Sequence, residues 1–109
     1  LRVWDLPPEL LCRPHLLGEH RELHAVWTII TQGRQGYSHH PEVKRWRGKL
    51  RALYLRHDAL VREMEARGYQ HASALDEKLA QGAGKQDVLL ESLERQRELL
   101  RGKGCTCRV

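Results

Sequence analysis

His15-Leu16-Leu17-Gly18-Glu19-His20-Arg21-Glu22-Leu23 is the stretch that decides the fold. Pro14 stands in front of it, at an early helical position where a missing N–H costs nothing. Apolar residues then recur at helical spacing, and Leu16, His20, Leu23, Trp27 and Ile30 form one stripe toward a core. Successive residues turn by about 100°, so His15, Glu19, Glu22 and Val26 make a second stripe along one flank. Arg21 lies across the core stripe, beside His24. A row of carboxylate and imidazole therefore runs along the edge of a buried seam, where partial desolvation prepares a carboxylate for proton chemistry. The plain alternative is an amphipathic helix with salt-bridged edges.

The same periodicity extends outward. Leu6-Pro7-Pro8-Glu9-Leu10-Leu11 permits only a short helical turn before Arg13-Pro14 interrupts it. The first long helix is expected from Pro14 to Gln32, with Gly33 as its stop. Gly33 to His40 is a loop. Pro41 opens a short helix over Glu42 to Arg47, bending at Gly48 into the next. Leu50, Leu53, Tyr54, His57, Leu60, Val61 and Met64 follow the helical template, which ends at Gly68. A brief helix near Ala74 to Gln81 precedes Gly82-Ala83-Gly84, which reads as a hinge. Asp87 is placed to cap a last helix with apolar positions Leu89, Leu90, Leu93, Leu99 and Leu100. No stretch alternates as a strand, so the expected fold is all-α, a compact single-domain helical bundle over residues 1–109.

A chain of 109 residues sets one domain with a single modest core as the starting expectation. Nineteen Lys and Arg against 14 Asp and Glu leave a net charge of +5, a balance that suits a polyanionic partner. No apolar run approaches membrane-spanning length and no signal-peptide pattern opens the chain, so a soluble cytoplasmic protein is expected. Three cysteines, two of them near the carboxyl end, do not make a secreted disulfide framework. Leu1 is read as a rare start codon translated literally; a Met retained there would leave the amine in the same position.

Two clusters carry candidate chemistry. Lys44-Arg45-Trp46-Arg47-Gly48-Lys49-Leu50-Arg51 packs five cations and a Trp into eight residues without an acid. Such a run can track a phosphate backbone while the indole stacks or wedges, and Arg34 and Tyr37 extend the same face. The alternative is a solvated helix start with Trp46 in the core. Cys12, Cys105 and Cys107, with His20 and His24 one helical turn apart, raise a zinc reading. His20-Arg21-Glu22-Leu23-His24 is not the metalloprotease order, and Cys105-Thr106-Cys107 lacks the two-residue spacing of zinc knuckles. The expectation is therefore no metal and no organic cofactor, with the tail cysteines packed near Cys12.

Arg2, followed downstream by His15-Leu16, Glu19 and Arg21-Glu22-Leu23, resembles the start of the pyrimidine-dimer DNA glycosylase/AP lyase family, the endonuclease V-like enzymes. That family carries an Arg after its terminal nucleophile, then His-Leu-x-x-Glu-x-Arg-Glu-Leu at the same distance. Arg67-Gly68-Tyr69 resembles its Arg-Gly-aromatic helix end, and Leu75 to Gln81 a late helix. The resemblance spans about two thirds of the chain. It departs at Ala25, where the family has Arg, and after Gln86, where a helix to Lys103 and a cysteine tail replace an aromatic, lysine-rich tail.

The resemblance implies an amino-terminal segment packed between the main helices, delivering the Leu1 amine as nucleophile against C1′ of deoxyribose. An α-amine titrates near ~7.7–8.0, so about a tenth or more is unprotonated at neutral pH, far more than for an ordinary lysine. Glu22 would stabilise the positive charge on the sugar and help remove the C2′ proton. Arg2, His15 and Arg21 match positions that hold DNA near that sugar, where guanidinium forks suit phosphate. With the basic run, the expected DNA contacts are Arg2, His15, Arg21, Arg34, Lys44, Arg45, Trp46, Arg47, Lys49, Arg51 and Lys78. The implied partner is double-stranded damaged DNA carrying UV pyrimidine dimers, bent and with a nucleotide flipped out by a nucleoid-associated monomer. Two alternatives stay open: a helical DNA-binding domain without the chemistry, and an abasic-site lyase without base removal.

Overall fold

Pro14 sits in the first turn of α1 (Arg13–Thr31), and the chain turns out of that helix at Gly33 with φ 62°. The computed structural model describes residues 1–71 and 73–109. Its other helices are α2 (Pro41–Trp46), α3 (Leu50–Ala66) and α4 (Leu93–Arg101). Single 3-10 turns lie at Pro8–Leu10 and Glu77–Leu79. Among the described residues there is no strand, only one isolated bridge between Lys49 and Gly82. The fold is all-α, and no described helix is long and apolar enough to cross a membrane.

α1 and α3 form the main pair, with α2 packed across one end. The buried face of α1 is Leu16, Glu19, Leu23, Val26, Trp27 and Ile29, wider than the single stripe the periodicity suggests. It reaches round to the flank because the amino-terminal segment covers that side. Val3, Trp4, Leu6 and Leu11 of the segment are buried in the same cluster as Leu23, Leu53 and Leu60. An extended segment inside a helical core leaves its carbonyls without ladder partners, and each must be satisfied by something else.

Three arginines do this. Arg45 Nη2 donates to Val3 O at 2.8 Å, Arg56 Nη1 to Leu6 O at 2.8 Å, and Arg67 Nη2 to Leu11 O at 2.6 Å. From the other side, Gln96 Oε1 of α4 accepts from Asp5 N at 2.8 Å. The amino-terminal segment is thus bolted between the helices through its main chain.

α2 and α3 are separate helices rather than one bent helix, divided where Gly48 adopts φ 77°. Gly82 is not a hinge. Its φ is 90°, and a Cβ there would lie 2.2 Å from Gly48 O, so the bare backbones of the two glycines pack together. The expected helix over 74–81 shrinks to the 3-10 turn. Asp87 does not cap α4; it pairs with Lys49 at 3.1 Å, and Ser92 caps the shorter helix by accepting from Arg95 N. Leu89, Leu90 and Leu93 consequently stay exposed, while Leu100 is fully buried.

Candidate active site

The amine of Leu1 stands 3.9 Å from Glu22 Oε1. That is an ion-pair distance rather than a hydrogen bond, close enough for the carboxylate to act on charge that develops at the amine. Leu1 packs at the margin of the core, Val3 behind it is held by Arg45, and the Arg2 guanidinium lies 4.7 Å over the Trp4 ring. Glu22 projects from α1 with its side chain 42% exposed, so the carboxylate is open to solvent while the Leu1 side chain is largely covered. Arg21, the next residue, is exposed.

Glu19, one turn earlier on α1, has a different environment. It is 1% exposed, and Arg56 grips it with Nε at 2.7 Å and Nη2 at 3.0 Å. Burial pushes its carboxyl above the usual range, and the Arg56 charge and hydrogen bonds pull against that push. Glu19 ties α1 to α3 and does not reach solvent.

The basic run divides by helical face. Lys44 and Arg47 are exposed, and Arg47 reaches Ser38 O at 3.3 Å. Arg45 and Trp46 point inward, which corrects their expected role as DNA contacts. Arg45 is 6% exposed and is consumed by Glu42, Asp5, Val3 O and Val88 O. Trp46 is 2% exposed and donates Nε1–H to Glu42 Oε1 at 2.8 Å. A buried indole already hydrogen-bonded to a buried carboxylate cannot wedge into a duplex. Lys49 is half-buried and occupied by Gln86 and Asp87, and Arg51 lies 5.4 Å over Tyr54. Arg34 is exposed beside Gln32, Tyr37 is 72% exposed, and Lys78 is exposed on its 3-10 turn.

His15 is half-buried, and its Nδ1 lies 3.0 Å from Cys12 Sγ and 3.4 Å from Cys107 Sγ, so one of its two ring nitrogens faces thiols. Burial, then the Lys103 charge, lowers its pKa. Cys105 joins this group, and the four donor atoms lie within 4.8 Å of one another. Burial pushes the Cys107 thiol up to about 12. The tail cysteines do pack against Cys12, as expected from the sequence.

A second cluster was only half legible in the sequence, through the helical-turn spacing of His20 and His24. His20 and His24 of α1, His57 of α3 and His71 beyond it bring their ring nitrogens together within the same 4.8 Å limit. Burial, then the neighbouring imidazoles, lowers His20 and His57 to about 4, leaving both neutral at pH 7. His57 had the look of an ordinary core position on α3, and His71 belonged to no motif.

A sequence profile described as pyrimidine dimer DNA glycosylase matches residues 1–77. The chain belongs to that family. The match takes in the amino-terminal segment, α1, α2 and α3, and so the Leu1–Glu22 pair and all three segment-clamping arginines. It stops before α4 and the cysteine tail. No curated protein and no solved structure matches the chain. Membership makes this protein a DNA repair glycosylase at family level, with DNA as its substrate class.

Proposed function

We propose that this DNA glycosylase also cleaves abasic strands, and that both reactions pass through an imine on the amine of residue 1. The observation that supports it is the 3.9 Å approach of that amine to Glu22. The unprotonated amine would attack C1′ of a flipped nucleotide, and the glycosidic electron pair would leave with the base. Loss of the amine protons and ring opening would give the imine. Glu22 carboxylate would stabilise the cationic sugar and then take the C2′ proton, expelling the 3′ phosphate by β-elimination. Arg2 and Arg21 would hold the flanking phosphates, and Arg34, Lys44, Arg47 and Lys78 would extend the grip on a damaged duplex. A pyrimidine dimer is the lesion the family description favours.

Borohydride reduction with abasic-site DNA tests this reading. A covalent adduct that disappears when the α-amine is acetylated is the expected result. An adduct that survives acetylation would move the nucleophile to a lysine, with Lys78 the first to test. DNA binding with no adduct would leave a binding domain, and an adduct without base release from dimer-containing DNA would leave a lyase alone.

A further inference from the structure

The geometry points to two zinc-class metal centres in this chain. One, built from three cysteines and a histidine, fastens the tail to the start of α1; the other, built from four histidines, ties α1 to α3. Each is carried by its own observation, and neither depends on the imine chemistry.

The first centre is Cys12, His15, Cys105 and Cys107. Three thiols and one imidazole are a donor set of structural zinc, which binds sulfur at about 2.3 Å and nitrogen at about 2.0–2.1 Å in a tetrahedron. The edges of that tetrahedron are about 3.6 Å between sulfur and nitrogen. The two approaches to His15 Nδ1, 3.0 and 3.4 Å, lie inside that edge, as expected of donors converging on one point. Cys12 and His15 occupy the N-cap and first turn of α1, so a loop-helix junction presents two donors at once. Cys12 N donates to Cys107 Sγ at 3.1 Å, the kind of backbone donor that stabilises a metal-bound thiolate. The tail is brought there by its own pairing, Arg108 N to Leu10 O at 2.7 Å. Binding would release the thiol protons to solvent and leave three thiolates on the cation.

The second centre is His20, His24, His57 and His71. The Nε2 atoms stand 3.0 Å apart for His20 and His71, 3.2 Å for His20 and His57, and 3.1 Å for His24 and His57. Hydrogen bonding does not explain this arrangement. Each Nε2 carries one proton or one lone pair, so this chain of three contacts holds at most two full hydrogen bonds. Four lone pairs around a cation satisfy all of them, and the nitrogen edge of a tetrahedral zinc site is about 3.3 Å. His20 and His24 are four residues apart on one helical face, which is how one helix offers two ligands to one ion. Imidazole also accepts copper and nickel, so the metal in this centre is fixed by measurement rather than by the donor set.

Both centres present four protein donors. That leaves no open position for water or substrate, and the role is structural. The ions would brace α1 at its first turn and again near its middle, where His20 and His24 flank Glu22 in sequence.

Metal analysis of the chain, expressed without a metal-affinity tag and purified without chelator, should find about two ions per molecule, with zinc in the cysteine centre. Cys107→Ser and His71→Ala should each remove about one ion, and the double variant both. Because either variant could misfold, cobalt(II) loading of the unchanged chain reads the centres separately. Thiolate-to-cobalt charge-transfer bands report the first, and a second equivalent of tetrahedral cobalt without added sulfur bands reports the other. Less than about half an ion per chain after zinc loading and gel filtration overturns both centres. Full cobalt loading without thiolate bands overturns the cysteine centre. Thiolate bands with a stoichiometry of one overturn the histidine centre.

Discussion

Glu19 and Glu22 stand three residues apart on α1, and the two sides of the helix they occupy have little in common. The Glu19 side is closed. Its carboxylate is buried, gripped twice by Arg56, and covered by the amino-terminal segment. The Glu22 side is open, with a half-exposed carboxylate that pairs with the Leu1 amine. A buried carboxylate held by a guanidinium fork commits its charge to the fold. An exposed one at 3.9 Å from an amine keeps its charge available for a substrate. The lesson is that the same residue type on one helix is locked into the fold or left accessible by what the neighbouring chain does.

Glu22→Gln is the strongest way to break that contrast. It keeps the shape and removes the charge, so base release should fall by roughly 10²–10⁴-fold in single-turnover assays, with the melting temperature almost unchanged. Glu19→Gln should do the reverse. It strips the Arg56 guanidinium of its partner at a buried site, costing about 3–5 kcal/mol in denaturant unfolding while activity per folded molecule persists. Equal loss of turnover from both changes would dissolve the distinction.

Trp46→Ala sharpens the comparison in the basic run. With its indole buried against Glu42, the change should cost about 3–5 kcal/mol of stability and leave the salt dependence of DNA binding as it was. Arg47→Ala should produce the smallest effect. Stability should stay within about 0.5 kcal/mol, and the slope of log affinity against log salt should fall by about 0.9 on damaged and undamaged duplex alike. An altered preference between those two duplexes would give Arg47 a lesion-reading role.

The long helices were legible because Leu16, Leu23, Trp27, Leu53, Leu60 and Met64 keep a helical period between Pro and Gly punctuation. Local signals failed where a distant partner overrode them. Asp87 is a good cap residue, yet Lys49 takes it. Arg45 is a cation in a cationic run, yet Glu42 and the carbonyl of Val3 draw it inward. α2 is under two turns long, too short for a period to separate its inner face from its outer. The Leu1–Glu22 approach was expected through a family resemblance, since residue spacing alone does not bring an extended end onto a helix. The two donor clusters were legible only in part, with His15, His57 and His71 missed, for a related reason. Their ligands come from separate elements, α1 with the tail in one and α1, α3 and His71 in the other, and fixed-spacing motifs describe only donors that share an element.

The arginine clamps make the placing of the Leu1–Glu22 pair depend on the rest of the fold. They join residues 42, 50 and 56 positions apart, so the amino end is held by α2 and by both the body and the end of α3. In an unfolded or half-collapsed chain the terminal amine is an ordinary solvated one, far from any fixed carboxylate. A fault at Arg56 or Arg67 would therefore silence the amino end from the far side of the core.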